Sequence, residues 1–202
     1  MGEDEVILLG HKISCKGIEV DPSKVQVLIN LPSPRSVKEV ASFIQKVKYM
    51  SRFIYLSSQL LHPLQKLTQQ VEFVWTKDLE EYFCSIKQVL SSLPTLMPPC
   101  FKQLFFVNPS IGVETMGAAL LQQDPLNGRM KLVYFISRML FPTKKAYTKA
   151  KQIMSALIFE VRKFWPYLLD KPFVVLTVQH VFPWVSTQMS LSSRIAKWMT
   201  EL

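Results

Sequence analysis

Near Pro94, Pro98 and Pro99 the apolar pattern of this chain changes period, and that change limits the folds open to it. Ahead of these prolines, apolar residues recur at helical spacing. Behind them come three short apolar runs, at residues 104–107, 116–122 and 131–137, which read as successive strands. A polar turn joins the first two, and Asp124-Pro125-Leu126-Asn127-Gly128 joins the second pair. A long helix is expected over about 148–169, because Ile153, Leu157, Val161, Phe164 and Leu168 fall on one face. A fourth strand at 173–177 and a last helix from Ser193 follow. Three antiparallel strands, a helix and another strand make an α/β pattern.

The first half is organised differently. Val6 to Ile13 reads as a short strand pair or strand end, turning through Gly17. Asp21-Pro22-Ser23 starts a short helix, with Pro22 at a tolerated early position, and Leu31-Pro32-Ser33-Pro34 stops it. Ser36 with Glu39 has capping-box spacing and opens a helix whose inner face carries Val37, Val40, Ile44, Val47 and Ile54. A further helix is expected over about 59–69. A strand-like link covers 71–75, and Thr76 caps a helix with Leu79, Phe83, Ile86 and Leu90 inward.

With 202 residues the chain can bury one sizeable core or two small ones. Its 49% hydrophobic and 19% charged residues argue against disorder. The net charge of +9 is uneven: −3 over residues 1–21, +6 over 22–70, −2 over 71–100 and +8 over 101–202. Two basic blocks around an acidic one suit a two-module chain, and positive charge suits a polyanionic partner. Cys15, Cys84 and Cys100 have no CxxC spacing, so neither a disulfide framework nor a zinc site is expected. The acidic start Met1-Gly2-Glu3-Asp4-Glu5 does not read as a signal peptide, and no apolar run is long enough to span a membrane. An intracellular, reducing compartment and no membrane partner are the expectations; oligomeric state is not legible.

Several motifs carry a resemblance. Leu9-Gly10-His11 precedes Gly17-Ile18-Glu19-Val20-Asp21-Pro22-Ser23-Lys24-Val25, then Leu31-Pro32, Val37-Lys38-Glu39-Val40 and Arg52-Phe53-Ile54. Phe73-Val74-Trp75, Leu93-Pro94-Thr95-Leu96, Gly117-Ala118-Ala119-Leu120, Tyr134-Phe135-Ile136-Ser137-Arg138 and Arg194-Ile195-Ala196-Lys197-Trp198 continue the series in order. The chain resembles the polyprotein of gypsy-type long-terminal-repeat retrotransposons over about residues 6–202. The resemblance implies an α+β and α/β chain: a small helical thumb-like module, then a truncated RNase H-like mixed sheet with flanking helices. It implies the end of a polymerase palm at 1–21, reverse-transcriptase thumb-like helices at 22–70, a connecting strand and helix at 71–100, and the RNase H-like domain at 101–202. The chain would stop inside that domain's last helix and expose Phe105, Val107 and Leu120.

The family's catalytic acids fall on unsuitable residues. The polymerase's Tyr-x-Asp-Asp turn does not occur, so no polymerase activity is expected. RNase H cleavage uses carboxylates around two metal ions, Mg²⁺ in the active family. Counting back from Gly117, the first acid position holds Ser110, or Asn108 with a two-residue shift, and Pro109 should disturb the strand. The Glu-Lys-Glu triplet of the helix is Lys151-Gln152-Ile153, and the later Thr-Asp pair is Thr177-Val178. Ser110, Ile153 and Val178 thus replace acids, and Lys151 would repel Mg²⁺. No metal, cofactor or catalytic activity is expected.

Other candidates read as ordinary residues. Glu160, about 10 Å along the helix axis from Ile153, reads as solvated or Lys-paired. Glu114 reads as a loop residue and His180 as a loop histidine. His11 and His62 lack ligand spacing, Cys100 is a boundary residue, and Trp165 and Trp184 are core aromatics. Lys46, Lys48 and Arg52 lie on a helix whose family counterpart rests against the template–primer duplex. The leading expectation is a catalytically inactive fragment; the alternative is weak, sequence-independent binding of a nucleic-acid duplex there or a protein-interaction scaffold, and a second alternative is an RNase H.

Overall fold

The computed structural model describes residues 5–140, 149–169 and 171–176. The chain opens with a three-stranded antiparallel sheet of β1 (Glu5–Leu8), β2 (His11–Ser14) and β3 (Gly17–Val20). Leu9 and Gly10 connect β1 to β2 and both have positive φ, the geometry a two-residue hairpin loop favours. Helix α1 (Pro22–Ile29) follows, with the Asp21 carboxylate accepting from Ser23 N at 2.9 Å. Helix α2 (Val37–Tyr49) is capped by Ser36, whose hydroxyl accepts from Glu39 N. Glu39 completes the cap by accepting from Arg35 N at 2.7 Å, one residue earlier than the usual box partner. A 3₁₀ turn (Ser51–Phe53) leads into α3 (Ser57–Leu67), and α4 (Lys77–Ser91) is capped by Thr76.

These helices share one core. Val40, Phe43, Ile44 and Val47 of α2 pack with Leu61 and Leu64 of α3 and with Phe83, Ile86 and Leu90 of α4. The core runs from Val20 to Leu96, so α4 belongs with the helices before it. Residues 71–75 form no strand; they are tied in by Trp75, whose indole N–H donates to Glu80 at 2.6 Å. Ser33 donates to the other Glu80 oxygen, and these two bonds hold that carboxyl below its ordinary range.

The second sheet has the order β6-β5-β4-β7. Strands β4 (Phe105–Ile111), β5 (Thr115–Gln123) and β6 (Met130–Met139) are antiparallel, and β7 (Phe173–Val175) returns parallel to β4 after helix α5 (Lys149–Leu168). A helix between two parallel strands is the βαβ connection. Phe105, Val107, Ala118, Leu120 and Val133 pack against Leu157, Val161, Phe164 and Leu168 of α5. The expected exposure of Phe105, Val107 and Leu120 is therefore corrected: all three are fully buried, because they alternate onto the face that α5 covers. Pro109 does not break β4, which pairs through it with Ala118. Beyond Val107, β4 pairs only with β5 among the described residues, and Pro109, which has no N–H, sits where β7 does not reach. No helix among the described residues is long and apolar enough to cross a membrane.

Candidate functional site

The two cores meet where the segment Tyr55–Gln59 crosses the face of the second sheet opposite α5. Ser110, Gly117 and Ser137 form a row across β4, β5 and β6 on that face. Leu56 sits over its middle: a Cβ at Gly117 would lie 3.0 Å from Leu56 Cδ2 and 2.4 Å from Ile136 O. Glycine is what permits that approach. On one side the Tyr55 and Ser110 hydroxyls are 2.6 Å apart. On the other, Ser137 Oγ accepts from Ser58 N at 2.9 Å and lies 3.0 Å from Ser57 Oγ. Thr115 donates to Gln59 at 3.1 Å, and His62 Nε2 stands 3.7 Å from Glu114.

The residues expected at the acid positions of an RNase H lie on different surfaces. Ser110 is on β4 with its hydroxyl engaged by Tyr55, and Asn108 is exposed on the same strand. Ile153 is buried in the sheet-facing stripe of α5, with Gln152 before it. Lys151 belongs to the same helix, while Val178, Thr177, His180, Trp184 and Ser193 lie outside the described residues. An engaged hydroxyl and a buried aliphatic side chain do not fit a divalent metal, which needs several oxygen donors. Among the described residues no group of three His, Cys, Asp or Glu could hold one.

Glu160 overturns its expected role. It has 0% exposure, and neither carboxylate oxygen has a hydrogen-bond partner among the described residues. Seven residues return an α-helix to the same face, so Glu160 falls in the stripe of Ile153 and Phe164. Burial pushes its carboxyl up to about 9, leaving it protonated at neutral pH. Trp165 is the opposite correction, half exposed where a core aromatic was expected, because it lies between the buried positions 164 and 168. Glu114 lies in the β4–β5 turn, Cys100 in the segment before β4 and His11 on β2. The His11 ring stacks on Tyr49 at 5.4 Å, and burial followed by the charges of Arg52 and Lys24 holds it below its ordinary range.

The three basic residues do not form one patch. Lys46 and Lys48 are exposed on α2, but two residues of helix separate them by about 200°. Lys46 turns toward α1, into a cleft it shares with Lys24 and Tyr49. Arg52 is half buried over the Tyr134 ring, 5.0 Å from its centroid, bridging the helices to β6. The helical period already separated Lys46 from Lys48 in the sequence. No local pattern signalled the contacts of Tyr55, Ser137 or Lys24, which meet their partners only through tertiary structure.

Comparison with known proteins places this geometry. The family described as the RNase H-like domain found in reverse transcriptase matches residues 75–175. The retrovirus-related Pol polyprotein from transposon opus of Drosophila melanogaster is 27% identical over 190 residues, 88% of this chain and 19% of that protein. The Tf2-3 transposon polyprotein of Schizosaccharomyces pombe is 27% identical over 87% of this chain and 13% of its own length. The chain thus spans no more than about a fifth of these relatives. A foamy viral protease–reverse transcriptase solved with dsDNA has the same fold, with a TM-score of 0.85, 20% identity, and coverage of 99% of this chain and 43% of that one. The same kind of protein solved with RNA/DNA hybrid gives 0.81 at 20% identity, over 98% of this chain and 28% of that one. The chain belongs to the family of RNase H-like domains found in reverse transcriptases, and its curated relatives are retrotransposon Pol polyproteins.

Proposed function

We propose that this chain is a catalytically inactive fragment of the reverse transcriptase–RNase H kind. The observation that carries the reading is the donor chemistry at the family's acid positions. Ser110 is spent on Tyr55 and Ile153 is apolar and buried, and Val178 offers no oxygen in its side chain. Two-metal hydrolysis needs carboxylates at those places to fix the ions and activate water. Glu160 is no substitute, since a carboxyl held at about 9 is uncharged at neutral pH and faces the core. In this reading residues 1–21 end a polymerase palm, 22–70 are thumb-like, 71–100 connect, and 101–202 are RNase H-like. The test is incubation of the purified chain with a labelled RNA–DNA hybrid and Mg²⁺ or Mn²⁺. No metal-dependent cleavage is expected; cleavage that survives stringent repurification overturns the proposal.

A second reading keeps the fold as a weak nucleic-acid duplex binder. Its support is the +6 charge of residues 22–70, together with solved neighbours that carry dsDNA and RNA/DNA hybrid. Binding would be sequence-independent, on the order of micromolar or weaker, and would fall steeply with salt. Changing Lys46, Lys48 and Arg52 together to Ala should lower both affinity and salt slope. Binding that survives intact places Lys46, Lys48 and Arg52 outside any interface.

A further inference from the structure

Strand β1 and the turn after it carry the longest run of exposed apolar residues among the described residues: Val6, Ile7, Leu8 and Leu9 are 50–83% exposed. The two edges of the three-stranded sheet differ. That of β3 is closed, since Ile18 and Leu96 exchange two backbone hydrogen bonds of 2.8 Å. That of β1 is open: among the described residues β1 pairs with β2 alone. The open edge is held in place at its turn. The Tyr49 hydroxyl donates to the Leu9 carbonyl, and Asp21 N donates to the Gly10 carbonyl at 3.2 Å. Strand β1 has none of the usual protections of an edge, a proline, a bulge or a lysine. Its one charged side chain, Glu5, lies 2.8 Å from Lys12 Nζ of the neighbouring strand.

Hydrogen-bond alternation fixes what that edge can accept. Leu8 and His11 close the two-residue turn, so they and the Val6–Ile13 pair exchange bonds, and the N–H and C=O of Ile7 point outward. The other edge obeys the same alternation, for it is Ile18, opposite Ile13, that bonds outward to Leu96. A second β1, antiparallel about a two-fold axis at Ile7, puts the two Ile7 residues opposite each other, where they exchange both outward bonds. The same register sets Val6 opposite Leu8 of the second copy. Val6 and Leu8 point to one face of the sheet and Ile7 to the other. Four apolar side chains then lie together on one face, between the Ile13 residues of the two copies, and an isoleucine pair lies on the other. Glu5 brings no unpaired charge, because Lys12 already neutralises it. The edge thus demands a short apolar strand with outward bonds at alternate residues, and β1 is itself such a strand. We propose that β1 is a self-association edge, through which two copies of this chain form a two-fold dimer with one continuous six-stranded sheet. One strand edge falls at or below the roughly 1,200 Å² lower bound of stable interfaces, so the dimer is weak and reversible. This inference does not rest on the functional reading above.

The experiment is sedimentation velocity of the full chain, under reducing conditions, from about 1 μM to about 1 mM, the range over which a weak association becomes populated. The sedimentation coefficient should rise with concentration from that of a monomer to that of a dimer. Ile7→Lys sets two ammonium groups against each other at the axis and should raise the dissociation constant about tenfold or more. Ile7→Pro removes the outward N–H without breaking a β1–β2 bond and should act in the same direction. Thermal unfolding of each variant serves as the folding control. Register is read by cross-linking in a chain with Cys15, Cys84 and Cys100 changed to Ser. Ile7→Cys brings the two Cα atoms to about 5.5 Å, within disulfide reach, whereas Glu5→Cys leaves them about 13 Å apart along the strands. Mild oxidation should give a covalent dimer with Ile7→Cys and none with Glu5→Cys. A chain that stays monomeric across the range, a dimer indifferent to both Ile7 changes, or equal cross-linking at the two positions each overturns the proposal. So does a monomer that takes up an extended apolar peptide along β1, which assigns the edge to a foreign strand.

Discussion

The two faces of the second sheet are covered by different chemistry. Toward α5 the contact is apolar: Phe105, Val107 and Leu120 against Leu157, Val161 and Phe164. Toward the helical module it is a seam of hydroxyls, with Ser110 on Tyr55, Ser137 on Ser57 and Ser58, and Thr115 on Gln59. Apolar burial is non-directional and large per residue, whereas a hydrogen bond is small in net worth and strict in geometry. The α5 face should therefore supply most of the stability, and the seam should fix how the helices sit on the sheet. Ser110 belongs to the seam and Ile153 to the buried stripe of α5, so each serves packing on its own face.

The sharpest way to break this comparison is Phe164→Ala. Phe164 is fully buried and meets Tyr134 edge-on at 6.2 Å. Its truncation should cost about 3–5 kcal/mol through lost burial and a residual cavity. Denaturant melts of the full chain measure it. A loss no greater than that of a seam variant would show that the apolar face does not dominate.

Next in size is Glu160, the exception within the apolar face. Its carboxyl is raised by burial to about 9 when folded, against an ordinary value of 4.5. Between those values the unfolded chain ionises while the folded chain keeps its proton, so the unfolded state binds fewer protons. Stability is then fullest below about pH 4.5 and falls as pH rises toward 9, by at most about 1.4 kcal/mol per pH unit. Glu160→Met removes the ionisable group and its unpartnered oxygens at similar length. It should gain on the order of 2–3 kcal/mol at pH 7–8, and its melting temperature should lose the downward slope across that range. A wild-type chain with flat stability from pH 5 to 9 would place Glu160 in water and break the account.

Much of this fold was legible along the chain, because period and caps are local. The α5 stripe of Ile153, Leu157, Val161, Phe164 and Leu168 is buried as its spacing implies, and Ser36 and Thr76 cap the helices they were expected to cap. The strands of the second sheet start and end within a few residues of their apolar runs. What failed was non-local or ran against residue type. A glutamate in an apolar stripe reads as exposed because charged side chains are rarely buried unpaired, yet Glu160 is buried. Pro109 reads as a breaker, but β4 pairs through it with Ala118, and among the described residues no strand lies on its other side. Of the candidate site, resemblance singled out Ser110 and Ile153, while Tyr55 lies 55 residues from Ser110 and no local pattern announces that pair.

The smallest expected effect tests the seam itself. Tyr55 is more than half exposed, and its hydroxyl is 2.6 Å from that of Ser110. Tyr55→Phe and Ser110→Ala should each cost no more than about 1 kcal/mol, since water can replace a lost partner at a half-exposed site. Combined in a double-mutant cycle they should couple by roughly 0.5–1 kcal/mol, because either change alone already breaks the bond. Ser137→Ala should cost somewhat more, for it removes the acceptor of Ser58 N and the partner of Ser57, which is itself buried. The seam should also register in a second measurement. If it fixes orientation, Tyr55→Phe with Ser137→Ala should increase amide exchange at Ser57 and Ser58 while leaving Leu157 and Val161 protected. Equal loosening on both faces would mean that helices and sheet share one cooperative core, and that the contrast in chemistry carries no contrast in role.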